Sequence, residues 1–364
     1  MRLVIGGAYQ GKKEYVKRQY YIEETEIWGG DYPVSEGAWK CICGLHKIVK
    51  GIMQELSANK ENNGCMTDHT ARQKTEQKAE WSSEELSEHV LQYICRLTDN
   101  HPDIILVCDE VGGGIVPIEK AERDYRECVG RVLCALAKEA DTVERVHCGI
   151  GQTIKRTISV MLLRHGATEG NLKRKYIGVT DEPLCEAGIA DLESRKRGGI
   201  YPSVSRVIAS PMRRCLQTAE ILYPDVEIEV AVAFRETDFG LFEDRNYEEL
   251  MADETLKDEY QAWIDSDGHL PFPAGESLEQ ATRRCTEAFE RLLPTLTGDT
   301  AFIVHGGTIM SILSTYTAPR KDYYDYRCDN GGGYLCRVEL TGDGKLYQMS
   351  VQKSLDYSER TRLR

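Results

Sequence analysis

The feature that most constrains the fold of this sequence is a series of five short apolar runs, each followed by a polar residue or a glycine and then by a helical pattern. The runs lie at residues 3–5, 104–108, 160–163, 207–209 and 301–304. Runs of this length, rich in β-branched residues and leucine, predict buried parallel strands joined by helices. We therefore predict an α/β fold, in which ligands bind beyond the carboxyl ends of the strands.

Length and composition indicate two domains. The chain has 364 residues, which is long for one core, and its 41% hydrophobic and 29% charged residues are ordinary for globular proteins. We place the domains at residues 1–156 and 157–364, because one apolar segment ends and a new strand begins near this junction. Residues 57–83 carry almost no large apolar side chain, which predicts a mobile insertion. Residues 334–340 and 345–351 flank a turn sequence and predict a terminal β-hairpin.

Charge and cysteine usage exclude several classes of function. A net charge of -13 repels nucleic acid and anionic membranes, so we expect neither as a partner. No apolar run reaches the roughly 18 to 20 residues that span a bilayer, and no signal-peptide core is evident, so we expect a cytoplasmic protein. The thirteen cysteines are odd in number and lie singly in apolar runs, which indicates reduced core residues and no metal site.

Cationic and imidazole side chains follow three of the five runs. The third run ends in Arg164-His165-Gly166, which places a cation, a nucleophile and a permissive backbone at one point. After the fourth run, Pro211 begins a helical pattern with Arg214 in its first turn, and a helix N-terminus with a guanidinium forms an anion site. The fifth run ends in His305-Gly306. Such a set at three strand ends predicts a phosphate-ester site.

Further motifs lie between these strand ends, at residues 176–184, 210–219, 235–240 and 273–277. With them, the sequence from Val160 to about Leu340 resembles the histidine phosphatase superfamily, the branch that contains cofactor-dependent phosphoglycerate mutases and α-ribazole phosphatases. The resemblance implies a three-layer α/β/α domain and a phosphohistidine intermediate. One departure is Phe242-Glu243-Asp244, where relatives usually have Trp-Glu-Gly.

The resemblance also implies a role for each site residue. His165 is the nucleophile, Glu236 donates a proton to the leaving oxygen and later activates water, and His305 completes the catalytic set. The positions matched to phosphate binding are Arg164, Asn171, Arg214, His305 and Gly306. Because these groups supply the charge, we expect a small-molecule phosphate ester as substrate and neither a cofactor nor a metal. The basic triplet Lys173–Lys175 either steers the substrate or is simply solvated.

The first run is followed by a glycine-rich loop with the spacing of a phosphate-binding loop. Its candidate nucleotide-binding residues are Gly6, Gly7, Gly11, Lys12 and Lys13. Lys13 occupies the position where a Ser or Thr hydroxyl would hold magnesium, so the loop could cradle a phosphate but lacks the hydroxyl ligand for magnesium-assisted transfer. The alternative is a tight glycine turn without a ligand.

A second glycine-rich block, residues 109–117, follows the second run. Together the two blocks make residues 1–156 resemble the bifunctional adenosylcobinamide kinase and adenosylcobinamide-phosphate guanylyltransferase, strongly at both ends and poorly in the middle. The resemblance implies a P-loop-like domain with GTP or ATP as its ligand. No equivalent of the family's central acidic strand motif is evident. His46 is the best candidate for the family's guanylylated histidine, the alternative being a half-buried surface residue, and Glu110 is the other candidate site residue.

Both resemblances belong to assembly of the nucleotide loop of cobalamin, which implies α-ribazole 5'-phosphate as the phosphatase substrate. The alternatives are a mutase-like phosphotransferase and a broad-specificity sugar phosphatase. The stretch between Glu236 and His305 is short for the substrate-enclosing insertion of a mutase. The first domain is either an active kinase and guanylyltransferase or a diverged binding module, and Lys13 favours the latter. The sequence does not indicate the oligomeric state.

Overall fold

The computed structural model describes residues 1–30, 32–63, 81–99, 101–266 and 268–356. The chain divides into two compact units, Met1–Arg156 and Thr157–Arg364. In each unit most of the strands are parallel and carry helices on both faces, so the predicted α/β class is confirmed. In the described ranges, no helix combines the length and apolarity needed to cross a bilayer.

The first unit contains a sheet in the strand order β2-β3-β4-β1-β5. On one face Leu3 packs against residues such as Ile48, Val90 and Val132 of three helices, and on the other Val4 packs against Val16 of α1. The elements are β1 Arg2–Gly6, α1 Lys12–Tyr20, β2 Ile27–Trp28, β3 Cys41–Cys43, α2 Leu45–Asn63, α3 Ser83–Thr98, β4 Ile105–Asp109, α4 Lys120–Glu139, β5 Thr142–His147 and the start of β6 Ile150–Arg164.

Strands β1 and β4 are the two predicted in this unit, and they pair in parallel. The short strands β2 and β3 were not predicted, because two or three residues give no readable pattern. The predicted insertion at 57–83 needs a correction at both ends. Ser57 lies within α2, where its hydroxyl donates to the Met53 carbonyl at 2.8 Å, and the helix continues to Asn63. Ser83 already begins α3, with Ser82 as its N-cap. Residues 64–80 of that prediction lie outside the described residues.

The strand that contains the third predicted run, residues 160–163, begins earlier than predicted. Residues 150–156 are already part of β6 and pair antiparallel with β5. These residues were not included in the predicted strand, although their alternation of small, polar and apolar residues is typical of a half-exposed strand.

The second unit is built on strands β8, β7, β9 and the end of β6, which pair in parallel in that order, with β10 added next to β6. Its helices form two layers: Leu192 and Cys215 pack on one face of the sheet, and Phe289 and Ile312 on the other. Strands β10 and β11 form the predicted terminal hairpin. The elements are α5 Glu169–Leu172, α6 Glu186–Arg197, β7 Arg206–Ala209, α7 Arg213–Leu222, β8 Ile228–Val230, α8 Tyr247–Ala252, α9 Lys257–Asp265, α10 Leu278–Leu292, β9 Thr300–Val304, α11 Gly306–Tyr316, β10 Gly333–Thr341 and β11 Leu346–Ser354.

Helices α8 and α9 belong to a separate aromatic cluster. Phe242, Tyr260 and Phe272 form its buried centre, and Tyr176 and Trp263 pack against it. The Tyr176 ring contacts that of Phe239 at a centroid distance of 5.3 Å. Phe242 stands where relatives usually have the Trp of Trp-Glu-Gly. It is fully buried, so an aromatic side chain still fills the core of this cluster.

Candidate active site

The two histidines of the second unit meet because their strands are neighbours. Strands β6 and β9 pair in parallel with Arg164 opposite Val304, so the residues that follow, His165 and His305, lie side by side. Their ring centroids are 5.2 Å apart, in an edge-to-face arrangement. On the other side of β9, the Ser210 amide donates to the Ile303 carbonyl at 3.0 Å and brings the end of β7 to the same place.

His165 is buried, and a backbone contact fixes its tautomer. Its Nδ1 lies 2.8 Å from the carbonyl oxygen of Gly166. A carbonyl can only accept, so Nδ1 carries the hydrogen and Nε2 presents a lone pair. Burial, together with the Arg214 and Arg164 guanidinium groups, holds the pKa of His165 well below its usual range. A neutral imidazole with a free Nε2 can attack a phosphorus atom.

Two arginines flank this imidazole and are held by carbonyl groups: Arg214 is fully buried and Arg164 is half-buried. Arg214 donates to the carbonyls of Thr180 at 2.8 Å and Gly178 at 3.1 Å, and Arg164 donates to that of Cys328 at 2.9 Å. Among the described residues, neither buried Nε–H has a hydrogen-bond partner. Buried donors are normally satisfied, so these two indicate a missing anionic acceptor such as a phosphate oxygen.

His305 contacts both a hydroxyl and a carboxyl group. Its Nε2 lies 2.8 Å from Ser210 Oγ, and its Nδ1 lies 3.8 Å from Glu236 Oε2. Burial and the Arg214 guanidinium lower its pKa well below the usual value. The next residue, Gly306, begins α11, and a Cβ atom there would lie 3.6 Å from Arg164 Nε. The amide end of α11 therefore adds to the anion-attracting groups.

Most of the Glu236 side chain is buried, with 12% of it exposed. Burial raises its pKa above the usual value. The Thr237 amide, which donates to Oε1 at 2.9 Å, and the nearby arginines lower the pKa by less than burial raises it. Its backbone is fixed by Arg284, which donates to the Arg235 carbonyl at 2.9 Å and pairs with Glu276 Oε2 at 2.7 Å. A buried carboxyl with a raised pKa can carry a proton and donate it to a leaving oxygen.

Asn171 lies on α5, the short helix that follows the nucleophile in the chain. Its Oδ1 accepts from Asn330 Nδ2 at 2.9 Å and from the Thr168 amide at 3.3 Å. Of the basic triplet, Lys175 is paired with Asp244 at 3.0 Å, so its charge is already partnered. The structure thus brings together all the candidates of this site: His165, Glu236, His305, Arg164, Asn171, Arg214 and Gly306.

In the first unit, the predicted phosphate loop does connect β1 to α1, and Gly11 has the positive φ of 77° that favours glycine. Lys12 is buried, however, and its ammonium donates to the Gly7 carbonyl at 2.5 Å and pairs with Asp109 at 2.7 Å. Lys13 pairs with Glu24 on the surface. The structure therefore does not bring Lys13 together with Lys12.

The other two candidates of the first unit lie on either side of Asp109. His46 Nδ1 accepts from the Asp109 amide at 3.2 Å, and its Nε2 lies 3.8 Å from Asp109 Oδ2. Burial lowers the pKa of His46. Glu110 accepts from Arg145 Nη2 at 3.1 Å, and its amide donates to the Gly6 carbonyl at 2.9 Å. One nitrogen of His46 is thus engaged by the backbone, and only Nε2 could react.

Three residues in contact with these sites were not singled out from the sequence. Asp109 ends β4 and would have been found by applying the strand-end rule to the first unit as strictly as to the second. Asn330 lies in a glycine-rich stretch that is typical of an ordinary turn, and Arg284 lies within an amphipathic helix, so neither carries a local signal.

Comparison with known proteins agrees with this division of the chain. Residues 160–351 match the model of the histidine phosphatase superfamily (branch 1), and residues 38–154 match that of cobinamide kinase / cobinamide phosphate guanyltransferase. Phosphoglycerate mutase-like protein 4 of Arabidopsis thaliana is 29% identical over 159 residues, which cover 42% of this chain and 68% of that protein. A bifunctional protein of Mycobacterium tuberculosis is 29% identical over 188 residues, covering 50% of this chain and 47% of that protein.

Among solved structures, the α-ribazole phosphatase from Shigella flexneri aligns with 55% of this chain and 96% of its own, at 20% identity and a TM-score of 0.47. The match to the superfamily model covers more than half of the 364 residues and includes the strand ends that carry both histidines. The chain therefore belongs to the histidine phosphatase superfamily, branch 1, and is a phosphatase.

Proposed function

We propose that the second unit hydrolyses a phosphate monoester through a phosphohistidine on His165. In the first step Nε2 attacks phosphorus, the bond to the ester oxygen breaks, and Glu236 gives its proton to that oxygen. In the second step Glu236 takes a proton from water, which attacks phosphorus and releases inorganic phosphate and the free imidazole. The observation that supports this mechanism best is the neutral His165 with its free Nε2, between two arginines that each hold an unpaired Nε–H.

The charges of the site support a mechanism without metal. A phosphoryl group in transfer spreads negative charge over its equatorial oxygens, and the site mainly has to position it and neutralise that charge. Arg164 and Arg214 supply two fixed cations, the Asn171 amide supplies donors, and the N-terminus of α11 at Gly306 supplies backbone N–H groups. We propose these as the phosphate-binding groups and propose no cofactor for the phosphatase.

For the substrate we propose α-ribazole 5'-phosphate. The observation that carries this choice is the presence, in one chain, of a histidine phosphatase and of a match to a cobinamide kinase / cobinamide phosphate guanyltransferase. A guanylylated cobinamide is joined to α-ribazole to complete the nucleotide loop of cobalamin, and α-ribazole phosphate must lose its phosphate in the same assembly. Two enzyme activities that serve the assembly of the same nucleotide loop would then lie on one chain.

A panel of phosphate esters tests both the proposed mechanism and the proposed substrate. Purified protein is assayed for phosphate release from α-ribazole 5'-phosphate, 3-phosphoglycerate, phosphoserine and several sugar phosphates, with and without a chelator. We expect α-ribazole 5'-phosphate to have the highest kcat/KM and the chelator to have no effect. Equal rates on all esters would contradict the substrate, and transfer of the phosphoryl group between the hydroxyls of 3-phosphoglycerate would favour a mutase. Complete loss of activity in chelator, restored by a divalent ion, would contradict the mechanism.

For the first unit we propose a diverged kinase-like module that binds an anion at the glycine loop without steady phosphoryl transfer. Two observations support it. Lys13 stands in place of a hydroxyl ligand for magnesium and is paired with Glu24, and Lys12 is paired with Asp109. An entering phosphate would have to compete with Asp109 for Lys12, which weakens binding. GTP and ATP are the ligands to be tested.

A further inference from the structure

A loop far along the chain closes over the strand end that carries the nucleophile. This loop, residues 328–332, lies immediately before β10. The Gly331 amide donates to the His165 carbonyl at 3.0 Å, and the Arg164 amide donates to the Gly332 carbonyl at 2.9 Å. The loop therefore touches the backbone of both Arg164 and His165 without belonging to any of the predicted motifs.

Within this loop, one side-chain amide joins the nucleophile to the proposed phosphate-binding amide. Asn330 Nδ2 lies 3.2 Å from the His165 carbonyl oxygen and 2.9 Å from Asn171 Oδ1. The carbonyl can only accept, so the Asn330 atom facing it must be the NH₂ group. The same group then donates to Asn171, so the Asn171 atom that it meets must be the oxygen.

A second backbone group leads to the same orientation of Asn171. The Thr168 amide, which can only donate, lies 3.3 Å from Asn171 Oδ1. The two lone pairs of that oxygen are thereby filled by Thr168 and Asn330. Among the described residues no hydrogen bond is made by Asn171 Nδ2, so its two hydrogens are the part of the side chain left for a ligand.

We infer that Asn330 is a positioning residue, which holds the Asn171 amide with its NH₂ group available to the phosphate and its oxygen turned away. This inference rests on the proposed role of Asn171 in binding the phosphate. An amide flipped by 180° would present an oxygen to an anion, exchanging attraction for repulsion. Thr168 alone donates one hydrogen bond against that flip, and Asn330 adds a second.

A double-mutant cycle on the full chain tests the inference, with calorimetry of inorganic phosphate as the readout. Asn171→Ala is expected to raise the dissociation constant of phosphate about 10-fold, the usual effect of losing one hydrogen bond to a charged group. Asn330→Ala should raise it by a similar or smaller factor. If Asn330 acts through Asn171, the double variant should bind phosphate no more weakly than Asn171→Ala alone. The isosteric Asn330→Asp, which cannot donate, should behave like Asn330→Ala or worse.

A matched control separates positioning from loosening of the loop. Tyr201 donates to the Gly331 carbonyl at 2.6 Å and takes no part in the hydrogen bond between Asn330 and Asn171. Tyr201→Phe should lower the melting temperature as Asn330→Ala does while phosphate affinity stays unchanged. The inference would be overturned if the increases in the dissociation constant multiplied in the double variant. It would also be overturned if Asn330→Ala or Asn171→Ala bound phosphate normally, or if Tyr201→Phe bound it more weakly. Calorimetry needs no turnover, so a failure to hydrolyse any ester would remove the proposed function and still leave this cycle interpretable.

Discussion

Ser210 Oγ lies 2.8 Å from Nε2 of His305, and the Met212 amide lies 3.4 Å from the same oxygen. The buried hydroxyl hydrogen needs an acceptor, and Nε2 of His305 lies within hydrogen-bond distance, so we infer that the hydroxyl donates to this nitrogen. With Nε2 accepting, Nδ1 carries the hydrogen and faces Glu236 Oε2 at 3.8 Å. A serine at one strand end thus sets which nitrogen of the second histidine can donate to the reacting groups.

Replacing this serine tests the arrangement. Ser210→Ala should lower kcat by about 10-fold or more, because the loss of one hydrogen bond next to a charged transition state releases the tautomer of His305. Ser210→Thr keeps the hydroxyl and should retain most of the activity. Steady-state kinetics on a phosphate ester measure both variants. Unchanged kcat in Ser210→Ala would show that the hydroxyl has no part in orienting His305.

The nucleophile can be identified by trapping. With labelled phosphate ester and a rapid quench, the unaltered protein should carry the label on His165, whose Nε2 is free to attack. His165→Ala should carry none and should lose turnover. The control is His46→Ala, in the other unit, which should label normally. Label on a different residue, or a fully active His165→Ala, would exclude the proposed intermediate.

Arg214 and Arg213 are neighbours with opposite surroundings, and this makes them a matched pair. Arg214 is fully buried and fixed by carbonyl groups, whereas Arg213 is exposed. Arg214→Ala should lower kcat by on the order of 100- to 1000-fold, as expected on removal of one preorganised charge-stabilising donor. Arg213→Ala should change kcat little. Similar losses in both variants would indicate a general electrostatic effect of the helix rather than a specific contact.

The pH dependence should follow His165 and Glu236. His165 must be neutral to attack, and its pKa is lowered, so activity should fall with decreasing pH only below the usual imidazole range. Glu236 must be protonated to donate, and its pKa is raised, so activity should fall with increasing pH only above the usual carboxyl range. Glu236→Gln should be slower and should lack the alkaline limb that Glu236 causes. The ionisation of the substrate affects the pH profiles of the unaltered protein and of Glu236→Gln equally. An identical alkaline limb in these two profiles would contradict this role of Glu236.

Calorimetry of GTP and ATP, with and without magnesium, tests the first unit. We expect weak binding that magnesium does not strengthen, and little phosphorylation of adenosylcobinamide, because Lys12 is paired with Asp109 and a hydroxyl ligand is missing at Lys13. Asp109→Asn removes the competing carboxylate and should tighten anion binding. Tight magnesium-dependent binding with steady turnover would identify this unit as a working kinase.

The positions of the strand ends could be predicted from the sequence. The hydrogen-bond and ion-pair partners of the residues at those ends could not. The runs before His165, Ser210 and His305 are apolar, end sharply and are followed by helices, so the convergence of these residues follows from parallel pairing. Asn330 is different: it reaches the site through a loop whose glycines indicate only a turn, and its contacts depend on where β10 is placed. In the first unit, the spacing of glycines and lysine predicted the loop, but it could not reveal that Asp109 forms an ion pair with Lys12.

The hydrogen bond between Asn330 and the His165 carbonyl joins residues 165 positions apart in the chain. During synthesis, the nucleophile leaves the ribosome long before the loop that supports it, and the hairpin β10–β11 follows that loop directly. Domains acquire their contacts only when the segments that make them have emerged. The nascent chain should therefore expose an incomplete phosphate site for much of its elongation, and phosphatase activity should begin only after the last strands have emerged.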